Sequence, residues 1–355
     1  MKMAMRWFGP SFDSVDLRSI RQVPGVSGVI SSLPDLAAGV DWPINRILSL
    51  KSAVENQGLK LLGIESVNIH DSIKAGTKDR DFYIERYIST LKSLGAVGIN
   101  LVCYNFMPVF DWTRTDLAKV REDGATVLSY DQKLLDTLNP DQMLAEMGKK
   151  SNNFLLPGWE PERLASIREL FKTYLSVTEE SLFDNLVYFL KAILPTCEQH
   201  HIKMAIHPDD PPWSVFGLPR IVKNGVDLQR IVQAIQSSCN CVTLCTGSLG
   251  SNPANDLPEI IHSLEGKIAF AHVRNLRHTG EGVFEEAAHY TADGSLDMVA
   301  IMRALHDIGF DGVMRSDHGR TIWNEVSLPG YGLYDRALGS QYLLGLWDAI
   351  SRKIL

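Results

Sequence analysis

Short apolar runs recur along the chain, each closed by a turn signal. Eight stand out: Ala4–Phe8, Gly28–Leu33, Lys60–Ser66, Gly98–Asn105, Lys203–His207, Cys241–Thr246, Ile268–Arg274 and Gly312–Asp317. Continuous apolar runs, rather than alternating ones, are the pattern of strands buried on both faces, as in parallel sheets. Between them lie stretches with helical spacing: Asn45–Gln57, Asp81–Leu94, Leu182–Gln199, Asp227–Gln236 and Leu296–Ile308, with Arg336–Leu355 closing the chain. Strands alternating with helices eight times predict an α/β fold, a (β/α)8 TIM barrel, rather than an open doubly wound sheet. No Gly-rich dinucleotide fingerprint follows any of the runs.

One segment breaks the rhythm. The stretch 106–180, following the fourth strand, is too long for an ordinary βα loop. Part of it reads as a hairpin, Lys119–Glu122 and Ala125–Leu128 about an Asp123-Gly124 turn. The rest, through Asn152, Pro157 and Pro161, reads as charged short helices and loop. The expectation is a single barrel domain, 1–355, with 106–180 inserted as a cap over the mouth or a dimerisation region.

Composition narrows the function. The hydrophobic share of 45% and charged share of 22% over 355 residues suit a soluble globular protein with an ample core. A net charge of -7 speaks against nucleic acid, whose partners carry basic patches. The five cysteines form no disulfide framework, and Met1–Pro10 has no apolar signal core. No run reaches the roughly 18 apolar residues that would span a membrane. A cytoplasmic protein acting on a small molecule, with no nucleic-acid or membrane partner, is expected.

In barrel enzymes catalytic groups stand at the C-terminal strand ends. Here four consecutive strands end in His207, Cys245, His272 and Asp317. Singly, such residues are core histidines, a small buried hydrophobe and a helix cap. Together, on neighbouring strands of a closed barrel, they can converge on one divalent ion. Carboxylate and imidazole suit manganese or ferrous iron, and the thiolate draws toward softer iron, cobalt or zinc. A closed structural zinc site would use more cysteine, often as CxxC pairs, so an open catalytic site is favoured. The stiff run Ile206–Trp213, IHPDDPPW, offers Asp209 and Asp210 to orient a ligand or bind hydroxyls.

Several stretches resemble the mannonate dehydratase family. They include RWFGP at Arg6–Pro10, ESVNIH at Glu65–His70, VCYNFMPVFDWTRTDL at Val102–Leu117 and AIHPDDPP at Ala205–Pro212. Also similar are GLPRIV at Gly217–Val222, TLCTGS at Thr243–Ser248, AHVRN at Ala271–Asn275, FEEAAH at Phe284–His289, SDHG at Ser316–Gly319 and PGYG at Pro329–Gly332. The resemblance implies a xylose-isomerase-like barrel that converts D-mannonate to 2-dehydro-3-deoxy-D-gluconate and water in hexuronate catabolism. It also implies Mn2+ or Fe2+ on the same four ligands, and a homo-oligomer, expected to be a dimer. One departure stands out: Ser316 precedes Asp317 where a proline is expected.

Losing water from a 2,3-dihydroxy acid needs a base for the C2 proton, an acid for the C3 hydroxyl and a holder of the developing charge. His318 and Tyr331 are the expected acid–base pair, His318 because it adjoins a ligand and titrates near neutrality. Arg274 and Asn105 are expected on the substrate carboxylate and hydroxyls. Glu65 is expected on substrate or behind the metal, and Trp7 and His289, at the rim, as weaker substrate-binding candidates. The alternatives are a metal-dependent sugar or sugar-acid isomerase or epimerase, a metal-dependent endonuclease, and a barrel whose metal is purely structural.

Overall fold

The structure is a computed structural model and describes residues 1–137 and 167–354. Among these, the strands are β1 (Lys2–Arg6), β2 (Val26–Ser31), β3 (Lys60–Glu65), β4 (Leu101–Tyr104), β5 (Asp116–Val120), β6 (Thr126–Asp131), β7 (Lys203–Ile206), β8 (Asn240–Cys245), β9 (Ile268–His272), β10 (Leu276–Gly280), β11 (Val283–Glu286) and β12 (Val313–Arg315). Eight of them, in the order β1-β2-β3-β4-β7-β8-β9-β12, close into a parallel barrel, with β12 back on β1. All eight expected runs overlap one of these strands, shifted by up to a few residues.

Two layers of core hold the barrel. Its interior is filled by Ala4, Ile30, Leu101, Cys103, Ala205, Cys241, Ala269, Phe270 and Val313. Most are small, so Phe270 is the bulky plug. Outside, helices lay their apolar faces on the strands. In the helix Glu179–His200 the buried positions Leu182, Phe183, Leu186, Phe189, Leu190, Ile193, Leu194 and Cys197 fall at helical spacing. Thr178 starts it through a capping box with Ser181, and His201, in the left-handed region, ends it. The helix Leu257–Ser263, capped by Asp256, was not expected, because seven residues are too few to show a period.

The Asp123-Gly124 hairpin forms, with Gly124 at a φ of 83° that only glycine adopts freely. It does not stand alone. A second antiparallel sheet runs β10-β11-β6-β5, so the hairpin is joined to a ribbon that follows β9. A bridge between Thr126 and Thr321 ties it to the loop after β12. The expected short helices and loop around Asn152, Pro157 and Pro161 lie outside the described residues.

Phe270 is fully buried and packs edge-on against His272, with ring centroids 4.4 Å apart. Replacing it with alanine is expected to cost about 3–5 kcal/mol of stability, measurable by urea unfolding. A loss below about 1 kcal/mol would show that the interior does not depend on this plug.

Candidate active site at the barrel mouth

The strand ends bring the expected ligands together. Cys245 and His272 are the last residues of β8 and β9 and stand side by side in register. His207 follows β7 directly and Asp317 comes two residues after β12. One donor atom from each of His207, Cys245 and His272 lies within 4.8 Å of the others. Asp317 adjoins them, with Oδ2 3.6 Å from the Cys245 sulfur and Oδ1 3.8 Å from His272 Nδ1. Its backbone is in the left-handed region, φ 57°, which aspartate tolerates better than most residues.

The donor chemistry fits a divalent metal. His207 Nδ1 sits 2.7 Å from the Pro208 carbonyl, so it carries a proton and leaves Nε2 toward the cluster. Nε2 is 3.1 Å from His272 Nδ1. Two nitrogen lone pairs cannot face each other at that distance unless a proton or a metal lies between them. Burial alone would lower the His207 pKa, but the Cys245 sulfur, with Glu65 and Asp317, lifts it to about 9. Burial and Asp317 push the Cys245 thiol up, yet His207 and the hydrogen bonds of both histidines bring it down to about 5. These shifts favour a protonated His207 beside an ionised Cys245, and a divalent ion held here would take the place of the proton.

A solvent-open cavity lies over this cluster. Glu65, Asn105, His207, Cys245, Asp317, His318 and Tyr331 all line it. His318 Nε2 and the Tyr331 hydroxyl are 3.0 Å apart, and both residues are buried. Burial, only partly offset by Arg315, raises the Tyr331 phenol well above its ordinary value. Asn105 uses its Oδ1 on the Met107 backbone N–H.

Trp7, Arg274 and His289, expected on substrate, do not line this cavity. Trp7 points into the apolar core, and its neighbours Arg6 and Phe8 line the cavity instead, because side chains alternate along a strand. Arg274 is fully buried and spent on carboxylates. Its Nε donates to Asp317 at 2.6 Å, its Nη2 to Asp210 at 3.0 Å and its Nη1 to Glu286. Its guanidinium is thus fixed on Asp317, Asp210 and Glu286. His289 is buried below the rim, with Nε2 2.5 Å from the Ser316 carbonyl. Ser316 itself explains the missing proline: its hydroxyl donates to the Arg336 carbonyl at 2.9 Å, pinning the loop by a bond proline lacks. Asp209 accepts the backbone N–H groups of Ile221 and Val222 and so braces a loop.

Other residues of the site carried no local signal. Arg114 makes a two-pronged pair with Asp210, at 2.6 and 3.1 Å, and reaches Glu286 at 3.2 Å. Arg315 Nη1 is 2.7 Å from Asp317 and its Nη2 2.9 Å from Glu65. Burial would raise Asp317, and Arg315 foremost, with His318 and Arg274, holds it well below the usual carboxylate range. Arg114 and Glu286 stand in stretches already noted, DWTRTD and FEE, but they are 172 positions apart. Only the folded chain shows that they pair.

The fold and this cluster together define a (β/α)8-barrel enzyme with a cluster of side chains at its mouth that could hold a metal. The chain belongs to the D-mannonate dehydratase (UxuA) family, which it matches over residues 1–354. It is 62% identical over 352 residues to a mannonate dehydratase of Brachyspira hyodysenteriae, covering 99% of each chain. It is 53% identical over 354 residues to that of Thermotoga neapolitana, covering 99% of this chain and 98% of the relative. The crystal structure of mannonate dehydratase from Streptococcus suis serotype 2 superposes with a TM-score of 0.90 at 40% identity, covering 100% of this chain and 96% of the other. A D-tagatose 3-epimerase-like protein, 13% identical with a TM-score of 0.56, shares the barrel alone.

Two outcomes follow from this geometry. Metal binding must displace the His207 proton, so log Ka should rise by about one per pH unit up to about pH 9 and then level. Titration calorimetry in buffers of different ionisation heat should count about one proton released; a pH-independent affinity would contradict the imidazolium–thiolate pair. Arg114→Ala should cost about 3–5 kcal/mol, because Asp210 and Glu286 are left buried short of a cation. A loss under about 1 kcal/mol in chemical denaturation would mean the network tolerates the gap.

Proposed function

We propose that this chain dehydrates D-mannonate to 2-dehydro-3-deoxy-D-gluconate, with Mn2+ or Fe2+ on His207, Cys245, His272 and Asp317. The observation that carries the mechanism is the His318–Tyr331 pair, 3.0 Å apart on the wall of the cavity that His207, Cys245 and Asp317 also line. Family membership supplies the substrate and the reaction. A divalent ion bound there polarises the α-hydroxy acid and stabilises negative charge at its carboxylate end.

The residues divide the proton work. Tyr331 stays protonated, because burial raises its phenol, so it is the acid that gives the C3 hydroxyl its proton. Before substrate binds, its O–H donates to His318 Nε2, and His318 Nδ1 faces Glu286 at 3.4 Å; when the O–H turns to the C3 hydroxyl, Nε2 is freed. That leaves the Nε2 lone pair of His318 as the base for the C2 proton. Asn105 has its amide NH2 for substrate hydroxyls, and Phe8 and Trp112 wall the cavity against water.

No helix among the described residues is long and apolar enough to cross a membrane. The five cysteines are free and buried, which supports a reducing, cytoplasmic setting. The resemblance supports a homo-oligomer, with 106–180 as the cap or contact.

Purified protein stripped of metal should form no α-keto acid from D-mannonate and should regain turnover with Mn2+ or Fe2+. His318→Asn should lower kcat by about 10²–10⁴-fold and abolish exchange of the C2 hydrogen with solvent. Tyr331→Phe should lower kcat comparably yet keep that exchange. Folded, metal-loaded protein that never yields keto acid would end the dehydratase reading. Exchange lost in Tyr331→Phe and kept in His318→Asn would reverse the two roles.

A further inference from the structure

We infer that Glu65 is a positioning residue of the metal centre: it accepts a hydrogen bond from His272 Nε2 and so turns Nδ1 of that ring onto the ligand cluster. The inference rests on the metal reading above and adds what fixes one of the ligands. It follows from donor and acceptor rules. Arg315 Nη2 lies 3.2 Å from His272 Nδ1. A guanidinium has no acceptor, so Nδ1 must be the acceptor. In a neutral imidazole the proton is then on Nε2. Nε2 is buried, and the nearest acceptor is Glu65 Oε2 at 3.4 Å. Neither atom has another hydrogen-bond partner.

Glu65 is itself fixed for this task. It ends β3, and its Oε1 accepts from Arg315 Nη2 at 2.9 Å. Arg315 is opposite His272 in the β12–β9 register. One guanidinium therefore holds the carboxylate in place and marks Nδ1 as an acceptor. Oε1 is taken by Arg315, and Oε2, buried without a hydrogen bond, is left facing His272 Nε2. A carboxylate behind a ligating histidine fixes the ring's tautomer and orientation, and its loss typically weakens metal affinity by 10–100-fold. The rival is that Glu65 is itself a ligand, since Glu65, Cys103 and His272 also offer donors within 4.8 Å of one another.

The test uses Co2+ as a visible probe of the full-length protein. Titration of the metal-free wild type should give one ion and a thiolate–cobalt absorption. Glu65→Ala should bind the same single ion with the same spectrum but with Kd raised roughly 10–100-fold. Glu65→Gln, which keeps one acceptor oxygen, should lose less. Affinities within about twofold of wild type in both variants would overturn the inference. So would an altered cobalt spectrum, which would make Glu65 a ligand, or an unchanged Kd with a raised KM for D-mannonate, which would make it a substrate contact. A wild type that binds no cobalt would take down the metal reading and this inference with it. Nitrogen-15 NMR of the Zn2+-loaded wild type tests the same point without a variant. His272, identified by its contact with the Phe270 ring, should show a metal-bound Nδ1 and a protonated Nε2; the reverse assignment would overturn the proposal.

Discussion

The barrel mouth depends on keeping carboxylates ionised where little water reaches them. Taking a lone carboxylate out of water is strongly unfavourable, and it stays charged only when paired and hydrogen-bonded. Here the pairing is done by guanidiniums that each bridge more than one acid. Arg315 joins Glu65 to Asp317, Arg274 joins Asp317 to Asp210 and Glu286, and Arg114 joins Asp210 to Glu286. Arginine suits this because its donors leave a rigid fork in fixed directions. Lysine, a point charge on a flexible stem, could neutralise one acid but could not set the angle between two.

Asp317 is the hub of that chain of charges. One oxygen faces Arg315 and the other Arg274, so its position is set from both sides of the cluster. The supports come from distant parts of the sequence. Arg114 stands at the root of the long insertion, Glu286 ends β11, and the small antiparallel sheet β10-β11-β6-β5 holds those two segments together. The described part of the insertion thus reaches the site through a buried ion-pair network. The small sheet has consequences for the chemistry, since His318 Nδ1 faces the same Glu286.

Much of this was legible in the chain. The barrel was readable because parallel strands buried on both faces leave continuous apolar runs at regular intervals, a local signal. His207, Cys245, His272 and Asp317 were readable because strand ends converge in a closed barrel, so a position along the chain becomes a position around the mouth. Side-chain direction was not readable at a strand's last residue. Trp7 and Arg6 differ by one position, and the pleat sends one to the core and the other to the cavity. Arg274 was expected on the substrate carboxylate, yet an arginine at a strand end serves a buried acid as readily, and here it faces three. Only its three partners decide, and Glu286 and Asp210 were not legible as those partners.

The charge balance gives a reason for the kind of substrate. Glu65, Asp210, Glu286, Asp317 and the Cys245 thiolate are five negative groups at one end of the barrel, and Arg6, Arg114, Arg274 and Arg315 are four positive ones. The His207 imidazolium closes the gap without metal. Exchanging that proton for a divalent ion would add one positive charge to a site where low dielectric makes each unit costly. A monoanionic sugar acid cancels it, while a neutral ketose or aldose does not. The same barrel, shared with epimerase-like proteins at 13% identity, can thus be turned toward an acid by the arginines and carboxylates set around its mouth.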